Sequence, residues 1–298
     1  TNALTEAVIL KRFPHINILE HFETIISHNQ LVIITRYCET GDLSSLTNYM
    51  RDTGKSLAED HVVEMLMQIC MGLSHLHQAN IMHRDLKLSN VFIDKCGILK
   101  IGDFGLSRLT TDFACTVVGT PYYMAPEIQD SQIYSFSSDV WSLGVIAYYL
   151  CQLELPFTGE TMEELQDQKR CGLVPTMEGY SDELAELVSQ MLRVDPKDRI
   201  SVADVLKTPY MVRKMRTLTG DLGKPPADAS VEEHANTWAE SSALRCTERL
   251  DPRSSPVHSP VQSSLVQSIP ADKCVGASAV DRAVPTSPAQ PPLRSHLE

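Results

Sequence analysis

Three short polar motifs follow one another in the first half of the chain, and their order constrains the fold more than any other feature of the sequence. The motif HRDLKLSN occupies residues 83–90, DFG occupies residues 103–105, and APE occupies residues 125–127. Taken alone, each is most often a solvated loop or a turn. In this order, with helix-forming segments around them, they indicate three loops that meet at one site.

The residue types in the first two motifs suit the transfer of a phosphoryl group to a hydroxyl. That reaction needs an acceptor for the hydroxyl proton, a cation near the transferred group and hard oxygen ligands for magnesium. Asp85 can accept the proton, Lys87 can reach the phosphate, and Asn90 can ligate a magnesium ion. Asp103 offers a second metal ligand, and Gly105 permits a sharp backbone turn behind it.

The segment GTPYYMAPE follows, and with it the chain resembles the eukaryotic protein kinases over residues 1 to about 212. The resemblance implies that Thr120 and Pro121 shape the edge that binds the acceptor peptide. It also implies that Glu127 anchors this segment. The cofactors implied are ATP and Mg²⁺.

The same resemblance implies an α+β, protein-kinase-like fold. Residues 1–35 would form an incomplete amino-terminal lobe, with one helix at Leu4 to Arg12 and two strands joined by a turn at residues 27–30. Residues 36–215 would form the hinge and a mainly helical carboxyl-terminal lobe. Residues 216–298 would be a disordered tail rich in proline and serine.

Apolar periodicity and capping residues predict helices in the carboxyl-terminal lobe. Ser56 and Glu59 predict a capping box in front of a long helix, and Ser181 and Ser201 predict the starts of two later ones. The apolar run from Val140 to Cys151 predicts a buried helix, because it is too short to span a bilayer.

Outside the motifs, individual residues match the kinase pattern. Glu6, ahead of His15, resembles the glutamate of kinase helix C. Asp139 resembles the buried aspartate that holds the catalytic loop, and Arg199 resembles the arginine that pairs with Glu127. Three residues inside the motifs complete the structural set: His83, Phe104 and Gly105.

The stretch LVIITRYCETGDL resembles the strand and hinge that line the adenine pocket of kinases. The resemblance places Thr35 at the gatekeeper position. Tyr37 and Cys38 would bind adenine through the backbone, and Phe92 would lie beneath the ring. Glu6 and Asp103 would complete the ATP site.

Lys87 in the catalytic loop and Thr120 ahead of Pro121 resemble the serine/threonine class, and the wording of several segments resembles the NIMA-related kinases. The substrates implied are proteins with serine or threonine acceptors. Phosphorylation of Thr116, by an upstream kinase or by autophosphorylation, would create a charge that Arg84 and Arg108 could clamp.

Composition excludes some other functions. The net charge of −12 argues against a nucleic-acid binder, because phosphate neutralisation needs clustered basic residues. The eight cysteines show no metal-ligand spacing and are read as free thiols in a reducing compartment. We expect a cytoplasmic protein, with the cytoskeleton or nucleus as alternatives, and no membrane partner.

The nucleotide lid is the part of the kinase pattern that the sequence lacks. No GxGxxG motif occurs, and the first lysine, Lys11, lies after Glu6 on the same predicted helix. We therefore expect an N-terminally truncated serine/threonine kinase sequence that by itself is poorly soluble and binds ATP weakly or not at all. The alternative is a catalytically inactive, kinase-like binding module or scaffold.

Overall fold

The structure is a computed structural model, and it describes residues 2–27, 30–105, 108–109, 121–131 and 134–219. The helices are α1 (Asn2–Arg12), α2 (Leu43–Asp52), α3 (Glu59–Gln78), α4 (Pro126–Ser131), α5 (Phe136–Gln152), α6 (Met162–Cys171), α7 (Asp182–Met191), α8 (Val202–Lys207) and α9 (Pro209–Thr219). The strands are β1 (His21–Ser27), β2 (Gln30–Thr35), β3 (Gly41–Asp42), β4 (Ile81–Met82), β5 (Val91–Ile93), β6 (Leu99–Ile101) and β7 (Arg108–Leu109). Two 3-10 helices cover Leu88–Asn90 and Pro121–Tyr123.

The amino-terminal part consists of α1 packed against an antiparallel β1–β2 pair. The pair is in register from Thr24 opposite Ile33 to Ser27 opposite Gln30, so the predicted helix and two strands are confirmed. Leu10 on α1 is buried, whereas Ile26 on β1 is 73 % exposed. The sheet therefore leaves an apolar side chain in contact with solvent.

Two long helices form the centre of the carboxyl-terminal part. Twelve residues of α3 and twelve of α5 are buried, which confirms the predicted buried helix over the apolar run. Trp141 on α5 is fully buried and stacks on Phe157, with ring centroids 5.4 Å apart. Helices α7, α8 and α9 pack around this pair, and the mixed α+β architecture agrees with the predicted fold class.

Two small sheets support the motif loops. Strand β5 pairs with β6 so that Val91 lies opposite Ile101, and β4 pairs with β7. The HRDLKLSN motif runs between β4 and β5, and the DFG motif begins just after β6. Because β5 and β6 are neighbours, the two loops lie side by side.

The predicted capping box of Ser56 and Glu59 is wrong. Helix α3 starts at Glu59 with Ala58 as its N-cap, and no side chain caps it. The Glu59 carboxylate accepts hydrogen bonds instead from the Ser181 amide (2.7 Å) and from the Tyr210 hydroxyl (2.9 Å). A long-range contact thus takes the side chain that the local pattern had assigned to the cap.

The other predicted helix starts are confirmed. Ser181 accepts a hydrogen bond from the Leu184 amide, and Ser201 accepts one from the Asp204 amide. Residue 215, the predicted end of the lobe, lies inside α9.

Within the described part of the chain, no helix is both long and apolar enough to cross a membrane. The cysteines there are free thiols, as predicted: Cys38, Cys70, Cys96, Cys151 and Cys171. Residues 220–298, which include nearly all of the predicted tail, lie outside the described residues.

Candidate active site

Asp139, near the start of α5, holds the backbone that leads into the HRDLKLSN loop. One carboxylate oxygen accepts from the His83 amide and the other from the Arg84 amide, both at 2.9 Å. The Nε2 atom of His77 lies 2.9 Å from the first oxygen. Burial alone would raise the pKa of Asp139, but these partners hold its pKa below the ordinary value. A buried, ionised carboxylate therefore fixes the backbone at the start of the loop.

Asp85 follows this anchor and lies in a cluster of polar side chains. Its Oδ2 atom accepts from Lys87 Nζ at 2.6 Å and from Asn90 Nδ2 at 3.2 Å. Asn90 Nδ2 also donates to the backbone carbonyl of Asp85 at 2.8 Å. The three predicted catalytic-loop side chains thus meet at one carboxylate, whose orientation two donors fix.

His83 joins the HRDLKLSN loop to the DFG loop from a fully buried position. Its Nδ1 accepts from the Asp85 amide (3.3 Å), so the ring proton lies on Nε2, which donates to the Gly102 carbonyl (3.0 Å). The His83 ring also lies 5.1 Å from the buried Phe104 ring. These contacts hold the backbone just before Asp103 against the loop that carries Asp85.

Asp103 and Glu6 bring two carboxylates together at the end of this loop. A Cβ built on Gly105 would lie 3.4 Å from Asp103 Oδ1 and 4.0 Å from Glu6 Oε2. Burial, followed by repulsion from Asp103, raises the pKa of Glu6 to about 7, and the Phe104 amide partly offsets this by donating to Glu6. The helix α1 glutamate therefore faces the predicted metal ligand.

Two non-glycine residues of the site adopt left-handed backbone conformations. Arg84 has φ of 70° and Asp103 has φ of 60°. Such conformations cost about 1 to 3 kcal/mol and persist where surrounding contacts determine them. Here the Asp139 bond to the Arg84 amide and the His83 bond to Gly102 supply such contacts.

The predicted hinge residues Tyr37 and Cys38 lie in the segment that connects β2 to β3. Tyr37 is 66 % exposed, and the Cys38 carbonyl accepts from the Gly41 amide at 3.2 Å. Burial, with a contribution from Asp94, raises the pKa of the Cys38 thiol to about 11. Thr35, half-buried, ends β2. Hydrogen bonding to adenine through this backbone remains a prediction.

Phe92 lies on β5 opposite Lys100, and its ring lies close to Gly102, the residue before Asp103. A Cβ built on Gly102 would lie 2.8 Å from the Phe92 ring. Only glycine therefore fits between Phe92 and the DFG loop, because any larger residue would push the ring away. The sequence motifs do not indicate this role for Gly102.

Arg199 binds Glu127 through two parallel hydrogen bonds. Its NH1 and NH2 groups donate to Oε1 at 2.8 Å and to Oε2 at 3.0 Å. The guanidinium is fully buried, donates to the Ser137 carbonyl, and lies over the Trp141 ring. This bidentate pair attaches the APE segment to the core.

Three predicted residues cannot be located in the same way. Thr116 and Thr120 lie outside the described residues, and of Arg108 only the backbone in β7 is described. Arg84, one of the two predicted partners of phosphorylated Thr116, has its guanidinium 5.4 Å from the centre of the Tyr134 ring.

Comparison with known proteins identifies the fold. A family model described as a protein kinase domain matches residues 1–211, which is more than half of the chain. The chain belongs to the protein kinase family.

The relatives of this kinase chain include several serine/threonine-protein kinases of the Nek type. It is 38% identical over 212 residues to human Nek5, which covers 69% of this chain and 30% of that protein. It is 40% identical over 205 residues to mouse Nek3 (67% and 40%) and 38% identical over 219 residues to human Nek2 (70% and 49%). The predicted likeness to the NIMA-related kinases is confirmed, and the match spans less than half of each relative's length.

One contact of the kinase site was missed by sequence reasoning. His77 lies in the last turn of α3, and its bond to Asp139 joins that helix to α5. The sequence carried one signal, a histidine six residues before His83 at the end of an amphipathic helix. A histidine in that position is most often an ordinary surface residue, so only the fold reveals its partner.

Proposed function

We propose that this chain is the catalytic part of a serine/threonine protein kinase that transfers the γ-phosphate of ATP to serine or threonine hydroxyls of proteins. The observation that carries the proposal is the Asp85 carboxylate, held by Lys87 at 2.6 Å and Asn90 at 3.2 Å. A carboxylate in a fixed orientation is suited to accept the proton of an acceptor hydroxyl.

Asp85 acts in this proposal as the proton acceptor, and Lys87 steadies it in the free protein. The Lys87 side chain is 23 % exposed, so its ammonium can also approach a phosphoryl oxygen. Asp139 acts indirectly, because it holds the His83 and Arg84 amides and so fixes the position of the whole loop.

The residues present fit a magnesium ion held together with nucleotide phosphates. Asn90 donates both hydrogen bonds to Asp85 through Nδ2, so Oδ1 is its ligand atom. Asp103 supplies a carboxylate, and magnesium is commonly held by one or two protein oxygens plus phosphates. When bound, the ion would neutralise charge on the phosphates during transfer. Within the described residues no group of three or more His, Cys, Asp or Glu could hold a metal ion.

The test of this function is phosphate transfer from labelled ATP to serine- and threonine-containing peptides, with Asp85→Asn as the inactive variant. The protein assayed is the active enzyme, in which this chain is joined to the glycine-rich loop and strand lysine of a related kinase. Asp85→Asn should lower kcat by about 10²- to 10⁴-fold, the usual value of general-base catalysis. Asp167→Asn, at an exposed position on α6, is the matched control and should leave kcat unchanged. Equal rates for this active enzyme and its Asp85→Asn variant would refute the proposal.

A catalytically inactive binding module is the second candidate function. The environment of Glu6 favours this candidate. Burial and then repulsion from Asp103 raise the pKa of Glu6, so two acidic groups lie where the nucleotide phosphates are expected. We expect Mg-ATP to raise the melting temperature of this chain little or not at all. A shift like that of an intact kinase would contradict this expectation.

Phosphorylation of Thr116 is the proposed switch, with Arg84 and Arg108 as its partners. A phosphate carries a charge of about −1.5 to −2 and would form charge-assisted hydrogen bonds to guanidinium groups. Thr116→Ala should lower activity, and an unchanged rate in the active enzyme would exclude the switch. For the protein as a whole, we also propose a cytoplasmic location.

A further inference from the structure

A lysine in the interior of the carboxyl-terminal part has no role in the phosphoryl-transfer site. Lys169, in the last turn of α6, is fully buried. Its Nζ atom donates to the Pro121 carbonyl at 2.6 Å and to the Met124 carbonyl at 2.8 Å. Burial lowers the pKa of Lys169 to about 8. Burying an ammonium is unfavourable unless oxygen atoms replace its water, so the two carbonyls are what keeps it there.

The two carbonyls mark the ends of a single turn. Pro121–Tyr123 form a 3-10 helix, in which the Met124 amide donates to the Pro121 carbonyl at 3.3 Å. One turn earlier on α6, the buried Gln166 donates to the Pro126 carbonyl at 2.9 Å. Helix α6 therefore holds residues 121–126 at three backbone carbonyls.

The opposite side of this turn faces the catalytic loop. Burial raises the pKa of the Tyr123 phenol, and the Leu88 backbone lies close enough to the phenol to lower that pKa and partly offset the effect of burial. The Tyr123 carbonyl accepts a hydrogen bond from the Ser142 hydroxyl at 2.8 Å. Tyr123, Met124 and Asp85 line one small cavity. The turn is thus fixed between α6 on one side and the loop that carries Asp85 on the other.

We infer that Lys169 is a positioning residue for the acceptor peptide, which it serves by holding the Pro121–Tyr123 turn against the catalytic loop. The inference rests on the proposed kinase function. An ammonium group can satisfy both carbonyls at once, whereas an apolar side chain would leave two buried acceptors without a donor. Lys169 contacts neither Asp85 nor Asp103, so it acts through the backbone of the turn.

Steady-state kinetics of the active enzyme test this role. Lys169→Met removes both bonds to the turn and should raise the KM for the peptide by at least about tenfold, the factor that corresponds to the loss of one charge-assisted hydrogen bond. The KM for ATP should stay unchanged. Lys169→Arg keeps a cationic donor and should recover most of the loss. Arg170→Met, at the next and exposed position of α6, is the matched control and should behave like wild type.

Two further measurements keep the inference open to refutation. Amide exchange in residues 122–125 should be faster in Lys169→Met than in Lys169→Arg, and this readout does not depend on activity. Gln166→Leu removes the bond to Pro126 but leaves both Lys169 bonds in place, so it should give a smaller rise in peptide KM. This variant tests the role if Lys169→Met does not fold.

The outcomes separate the two levels of the argument. If the wild-type enzyme transfers no phosphate, the proposed function fails, and the exchange experiment still tests the Lys169 contact. If the wild type is active and folded Lys169→Met has an unchanged peptide KM, or if the KM values for peptide and ATP rise together, the positioning role is wrong and the proposed function stands.

Discussion

Replacing Glu6 by glutamine should stabilise the fold at alkaline pH. The Glu6 carboxyl has its pKa raised from an ordinary 4.5 to about 7, by burial first and by the Asp103 carboxylate second. Folding therefore favours the protonated form. The stability that this preference contributes is fully present below pH 4.5 and is lost as the pH rises through 7. Glutamine stays neutral and can still accept the Phe104 amide.

The magnitude follows from the two pKa values. Their difference corresponds to about 3 kcal/mol at most, and solvent screening of this half-buried group reduces the effect to about 1 to 2 kcal/mol. Glu6→Gln should therefore raise the free energy of unfolding by that amount at pH 8, while at pH 4 the variant and the wild type should be equally stable.

The assay is urea denaturation at pH 4, 6 and 8 in metal-free buffer, because a cation at Asp103 would change the repulsion. Glu23→Gln, on exposed β1, is the matched control and should show no pH-dependent gain. A Glu6→Gln variant that is no more stable than wild type at pH 8 would refute the reasoning, since the carboxylate would then be neutralised by another group.

Three further changes probe contacts of the core. Asp139→Asn should cost about 2 to 4 kcal/mol of stability and abolish transfer, because buried loop amides lose a charged acceptor; denaturation and labelled-ATP assays measure both, and an active variant would contradict the anchor. Arg199→Met should lower the free energy of unfolding by about 3 to 5 kcal/mol, because the largely buried Glu127 carboxylate loses its bidentate partner. An unchanged unfolding midpoint would contradict this prediction. Gly144→Ala should lower the melting temperature, since a Cβ there would lie 2.9 Å from the Leu192 side chain and overpacking costs about 1 to 3 kcal/mol; a stabilised variant would show that α7 can shift.

Some parts of the fold could be predicted because their causes are local. Ser181 and Ser201 start helices as predicted, since a serine side chain caps the amide three residues ahead. The same rule failed at Ser56 and Glu59. Glu59 bonds to Ser181 and Tyr210, more than a hundred residues away, and no local pattern contains such a partner.

The candidate site also has parts that local spacing predicts and parts that depend on distant contacts. The motif order identified Asp85, Lys87 and Asn90 because their chemistry is read from residue types at short spacing, and these three side chains meet at one carboxylate. The sequence could not reveal the partners of His77 and Lys169, because each bonds to groups on a distant segment.

The sequence by itself determined the family, the residue types of the candidate catalytic loop and the regular elements with strong periodicity. These depend on identity and spacing along the chain, which the sequence states directly. The family resemblance already implied the partners of Asp139 and Arg199. Only the tertiary structure decided the partners of two other charged groups: Glu59 at Ser181 and Tyr210, and Lys169 at the turn that follows residue 120. The physical reason is that a buried charge must be satisfied by whichever groups the fold brings within about 3 Å of it.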